Sequence, residues 1–261
     1  MTSLPLFALS LSTLCLANNL YREPLFSASL TFIPAFQSAF SDYHLFFTVL
    51  TDLGAEFLCA VMLLVAYVFT SRKRALYYMF NFMVMNFASA FLKLRGQEPR
   101  PFWVESKVAA IRCSSEYGSP SGHSSTSMHI TMAVILDIAE EMQMPTIGKV
   151  MSSCAGIGLP ILIGISRLYV GVHSLDQVLF GWSIGLWCSL FCHFEVRNRL
   201  MKSCDDLSAS LFLKDKRQLM AVLVVLLDLI AVSALLAQYY YTKLTFTDPP
   251  SWIQMYESKC P

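Results

Sequence analysis

The sequence predicts an all-α fold: a polytopic membrane helical bundle of about six transmembrane helices, with a possible seventh at the N-terminus. Two observations carry this expectation. Of 261 residues, 55% are hydrophobic and only 14% charged, against roughly 45–50% apolar and about 25% charged in soluble domains. Six apolar stretches also approach the roughly 20 residues needed to cross a bilayer.

Taken in order, residues 4–17 ("LPLFALSLSTLCLA") are apolar but short for a span. No basic residue precedes them, so a secretory signal fits poorly; an interfacial helix and an extra span both stay open. The six main stretches are 53–70, 75–92, 124–142, 148–165, 175–194 and 219–238. The third is the weakest, because Asp137, Glu140 and Glu141 crowd its far end. Domain organisation follows: an N-terminal region over 1–50, a membrane bundle over 51–240 and a non-cytoplasmic C-terminal tail over 241–261.

Alternating the six spans divides the polar segments between two sides. Short loops with "SRKR" (71–74), Lys149, Arg197, Arg199, Lys202 and "KDKR" (214–217) share one side, which the positive-inside bias makes cytoplasmic. The long segment 93–123, the turn 166–174 and the C-terminus share the other. Cys113 and Cys260 both fall there, where they could pair in an oxidising compartment; the remaining cysteines read as small apolar helix residues. A net charge of +1 without a basic tail gives no sign of nucleic-acid binding.

Three pieces on the non-cytoplasmic face carry chemistry. "KLRGQEPRP" places Lys93 and Arg100 seven residues apart. "GSPSGHSSTSMH" (118–129) brings Ser121, Gly122 and His123 to the front of an apolar run, with a helix start expected near Ser124. "SRLYVGVHSLDQV" supplies Arg167, His173, Asp176 and Gln177. Arginine's planar fork matches phosphate oxygens, and a helix N-terminus behind a glycine offers free N–H groups to an anion. Histidine acts as nucleophile or general acid near neutral pH. No Asp, Glu or His cluster has metal-site spacing, so the pattern outlines metal-independent phosphoryl transfer, with no cofactor expected.

Lys93–x6–Arg100–Pro101, then "PSGH" (120–123), then Ser166–Arg167–x5–His173 resembles the three-part signature of the type 2 phosphatidic acid phosphatase superfamily. The resemblance covers roughly residues 50–195. It implies that His173 attacks phosphorus to form a phosphohistidine and that His123 protonates the leaving oxygen. Lys93, Arg100, Ser121, Gly122 and Arg167 would then cradle the other phosphate oxygens. The family usually carries aspartate four residues after the nucleophile, where this chain has Gln177, with Asp176 one earlier. Both positions share a helix face with residue 173, so the sequence leaves open which orients its ring. The glucose-6-phosphatase-like and dolichyl-diphosphatase-like branches look similar in having glutamine here.

The expected substrate is a phosphorylated lipid (a polyisoprenyl diphosphate, a sphingoid phosphate or a phosphatidate), whose headgroup already lies at the depth of the motifs. A glucose-6-phosphatase-like sugar phosphatase is the alternative. A lipid phosphotransferase and a non-catalytic membrane lipid-binding protein complete the set. The expected location is the endoplasmic reticulum membrane, with the site lumenal. Among the remaining polar residues, His44, His129 and His193 read as structural and Asp137 as solvated near a span end, while Asp228 sits unexplained in mid-span. Tyr239, Tyr240 and Tyr241 read as an interface belt; Phe102 and Trp103 fit either that belt or the substrate mouth.

Overall fold

A computed structural model of the chain describes residues 4–55, 61, 64, 67–209 and 214–260. The regular structure among the described residues is helical, with no strand among them. Four helical stretches are long and apolar enough to cross a membrane: Leu4–Ala39, Arg72–Val104, Thr146–Tyr169 and Leu175–Asp206. Half of the first expected main span, 53–70, lies outside the described residues.

Helix α1 (Leu4–Ala39) runs far beyond the apolar stretch that announces it and contains Pro24 and Pro34. It packs along α8 (Leu175–Phe191), where Phe7 meets the rings of Trp187 and Phe191 edge-on. Helix α2 (His44–Leu53) follows it, and Phe47 stacks on Tyr169 with ring centroids 4.2 Å apart. Helix α3 (Arg72–Gly96) then leads into the short α4 (Pro101–Val104) and a long loop.

Helix α5 (Gly122–Glu141) is the central helix, yet it is not among the four apolar candidates. The reason is burial: Ser124, Ser125, Thr126 and Ser127 are almost fully enclosed by neighbouring helices. A helix shielded from lipid needs internal hydrogen bonds more than an apolar surface. Ser125 and Ser127 accordingly donate back to the carbonyls of Gly122 and Ser124. The expected span 148–165 is two helices, α6 (Thr146–Gly156) and α7 (Gly158–Tyr169), broken at Ile157 between two glycines.

The most extensive helix pair is α5 with α8. Gly181 and Gly185, four residues apart on α8, make the close approach possible. A Cβ on Gly185 would lie 2.4 Å from the Ser125 carbonyl, and one on Gly181 would lie 2.8 Å from that of Ser121. Small residues at this spacing let membrane helices touch backbone to backbone. Contact of these two helices brings the second motif against the third.

Beyond α8 a π-helical segment, Cys192–Val196, leads into α9 (Arg197–Ala209). Helix α10 (Lys214–Thr245) returns along α3, where the Thr242 hydroxyl donates to the Leu94 carbonyl at 2.9 Å. The final segment is not a loose tail. Residues Pro250–Lys259 form α11, which packs on α4. The Lys259 ammonium donates to the carbonyls of Phe102, Glu105 and Val108, and Cys113 and Cys260 form a disulfide.

Asp137 departs from the sequence expectation. It is fully buried rather than solvated, receiving Arg74 Nε and Arg197 Nε, each at 2.7 Å, and the Tyr78 hydroxyl at 2.6 Å. These partners come from two other helices, so the cluster ties α3, α5 and the start of α9 together at the end opposite the motifs. Phe102 and Trp103 also differ from a lipid-facing belt: both are buried in an aromatic core with Tyr256 and Trp252.

Candidate active site

The motif residues converge at one end of the bundle because each segment starts or stops a helix there. Lys93 lies in the last turn of α3. Arg100 is the N-cap residue of α4, where Pro101 fits the first helical position. Ser121 is the N-cap of α5, earlier than a start near Ser124 requires. Its Oγ accepts from the Ser124 N–H and from the Ser124 hydroxyl, which leaves the Ser121 O–H free to donate outward. His123 is the second residue of α5 and lies near Gly54, where an added Cβ would stand 3.4 Å from its ring.

Arg167 lies in the last turn of α7. A tight turn then reverses the chain through Gly171, whose φ of +81° suits glycine; a Cβ there would strike the Ala109 carbonyl at 2.2 Å. His173 follows directly, just ahead of α8. Arg100 and Arg167 are only 2% and 6% exposed, so neither is a cation reaching toward a membrane edge.

His173 is held from both sides. Its Nδ1 lies 3.2 Å from Gln177 Oε1, an acceptor only, so Nδ1 carries the proton and donates. Nε2 is then the unprotonated nitrogen, and Arg100 donates to it from 3.2 Å. Arg100 is itself anchored by the carbonyls of Glu116 at 2.7 Å and Val172 at 3.0 Å.

Gln177, not Asp176, therefore faces the ring. The cause is local: Ser174 caps α8 and Gln177 is the N3 residue of a capping box, so its side chain folds back over the helix start toward His173. Its Nε2 donates to the Pro99 carbonyl at 2.8 Å, joining the third motif to the first. Asp176 is fully buried but makes no contact with the imidazole among the described hydrogen bonds.

The electrostatics favour a neutral imidazole. Burial, and then the charges of Arg100, Arg167, Lys93 and His123, hold His173 well below the ordinary histidine range. A neutral ring keeps the lone pair on Nε2 that an imidazolium would lose.

Several partners in the site carry no motif signal. Glu116 forms an ion pair with Lys93, and that charge holds its carboxyl below the usual range. Thr51 accepts from Arg167 at 3.3 Å and shares a 2.8 Å hydrogen bond with Ser166. Glu98 pairs with Arg22 of α1 at 3.3 Å. Among the described residues no group of three or more His, Cys, Asp or Glu side chains could hold a metal ion.

Residues 74–200, which include all three motifs, match the PAP2 superfamily. Phosphatidylglycerophosphatase B of Bacillus subtilis (strain 168) is 30% identical over 87 residues. That match takes in 32% of this chain and 43% of the relative, so the chain spans less than half the length of the curated protein it matches. A solved structure, described as the first transmembrane PAP2 type phosphatidylglycerolphosphate phosphatase from Bacillus subtilis, superposes with a TM-score of 0.59 at 20% identity. It covers 75% of this chain and 94% of its own, a likeness that shows the fold.

Proposed function

We propose that this chain, whose membership of the PAP2 superfamily is supported by the match over residues 74–200, is a membrane phosphatase that hydrolyses a lipid phosphate through a phosphohistidine. The observation that carries the reading is the orientation of His173. Gln177 fixes the proton on Nδ1, so the lone pair of Nε2 points into a cluster of cations.

In the proposed reaction, Nε2 attacks phosphorus in line while the bond to the leaving oxygen breaks. Arg100, Arg167 and Lys93 neutralise charge on the remaining oxygens, with the Ser121 hydroxyl and the backbone at Gly122 as further donors. His123 delivers a proton to the departing alkoxide. A water, deprotonated by His123, then breaks the P–N bond, releasing phosphate and restoring neutral His173. Arg100 covers Nε2 and Glu116 pairs with Lys93, so an arriving phosphate exchanges with both contacts.

A lipid substrate fits a site at the ends of apolar helices. The Cys113–Cys260 disulfide on this face fits a compartment that is oxidising, as the lumen of the endoplasmic reticulum is. The test is phosphate release in membranes from dolichyl diphosphate, a sphingoid phosphate, phosphatidate and glucose 6-phosphate. Release from the lipids is the expected result. Turnover of the sugar phosphate alone overturns the lipid assignment, and transfer to an added acceptor lipid in place of water makes the protein a transferase.

A further inference from the structure

A cleft of about 1220 Å³ lies between α3 and α10 and reaches the phosphate end of the bundle. Its walls are mainly apolar, with Phe80, Met83 and Phe87 on α3 and Ala231, Val232 and Leu235 on α10. At its mouth stand Lys93 and Glu116, the ion pair of the candidate active site. The cleft and the site are therefore continuous through one lysine.

We infer that this cleft seats the hydrocarbon chain of the substrate, with the phosphate at Lys93 and the chain running down α3 toward Phe80. The inference rests on the phosphatase reading above and adds where the lipid lies. Three observations support it. From Lys93 to Phe80 is thirteen residues, about 20 Å along a helix, a large part of the roughly 30 Å hydrocarbon core. The volume exceeds the roughly 300–1,000 Å³ of a typical small-molecule pocket, more than a sugar phosphate fills. The walls are mainly apolar while the mouth carries the Lys93 cation, the same division of polarity as a lipid phosphate. Asp228, otherwise unexplained in mid-span, lines the same wall, about 21 Å along α10 from Thr242 at 1.5 Å per residue.

The experiment compares butyl, octyl and dodecyl phosphate in one fixed mixed-micelle system, reading kcat/KM for each. Burial of each methylene is worth roughly fourfold in affinity at most, so the wild-type dodecyl-to-butyl ratio is expected to exceed a hundred. Ala231→Trp and, on the opposite wall, Ala90→Trp fill the cleft and should lower that ratio at least tenfold. Val150→Trp, on exposed helix outside the cleft, should leave it unchanged. A ratio insensitive to both cleft substitutions, with phosphate still released, overturns the cleft alone. Absence of release from every alkyl phosphate by the wild-type protein counts against the phosphatase reading instead.

Should the Trp variants fail to fold, an alkyl phosphate carrying a photoreactive group at its chain end reads the wild-type protein directly. Labelling of α3 and α10 that vanadate suppresses supports the inference. Labelling confined to other helices, or cleft labelling that vanadate leaves intact because an ordinary bilayer lipid fills it, contradicts it.

Discussion

At the scale of single residues, the chemistry turns on what Gln177 does that an aspartate would not. A glutamine orients the His173 ring without adding charge, so the imidazole stays neutral, and the cations around it reinforce this. Its folded value lies below the roughly 6.5 of an unperturbed histidine. Neutral His173 therefore contributes stability that is fully present above that value and lost as pH falls through the lowered one. Gln177→Glu places a carboxylate against Nδ1 and stabilises the imidazolium. The acid limb of kcat/KM that reports His173 should consequently move to higher pH, measured as a pH–rate profile; an unmoved limb means that Gln177 does not orient the nucleophile. Arg167→Lys keeps a charge but loses the fork, and a loss of about tenfold or more in kcat/KM is expected, with membrane insertion unaffected.

The sequence is most legible at this scale where chemistry and spacing coincide. Lys93, Arg100, Ser121, Gly122, His123, Arg167 and His173 all lie at the one end of the bundle where alternation of spans places them. Asp176 and Gln177 are not separable by periodicity, since i+3 and i+4 share a helix face. The capping box, a detail of the first turn, distinguishes them. Glu116 and Thr51 are invisible in the sequence because neither belongs to a motif: each is brought in by a loop or helix whose path depends on tertiary packing.

At the scale of elements, two contacts hold the architecture, one at the site and one far from it. The α5–α8 contact depends on absent side chains. Gly185→Val forces a branched group against the Ser125 carbonyl and should separate the second motif from the third. A loss of activity of about a hundredfold in protein that still inserts in membranes is expected, because roughly 1 Å of displacement is that costly to a positioned site. The Asp137 cluster is a structural counterpart. Removing one partner of a buried ion pair costs about 3 kcal/mol, so Asp137→Ala should lower the melting temperature in detergent clearly. At permissive temperature it should leave kcat within about twofold, since the cluster stands at the opposite end from His173. From sequence alone Asp137 reads as solvated because its partners, Arg74 and Arg197, are some 60 positions away on either side.

On the scale of the whole molecule, the helical class and the presence of several apolar membrane-length helices follow from composition. The length of α1 does not, because its prolines and polar residues 18–23 hide its continuation; nor does α11, which is too short and mixed to announce itself. These two elements wrap the site: α1 reaches Glu98 through Arg22, and α11 anchors through Lys259 and the Cys113–Cys260 bridge. Since the proposed chemistry draws all its positive charge from Lys93, Arg100 and Arg167, phosphate release should persist in strong chelator. Loss of activity there, restored by a divalent ion, places a metal in the reaction.

The most direct measurement is covalent. Protein with His123→Ala, mixed with a substrate labelled in its phosphate and quenched rapidly, should carry acid-labile, base-stable phosphate on His173 and on no other residue, and adding His173→Ala should abolish the label. Turnover by the wild-type protein without any trapped phosphoenzyme, or label on a different side chain, contradicts the phosphohistidine route.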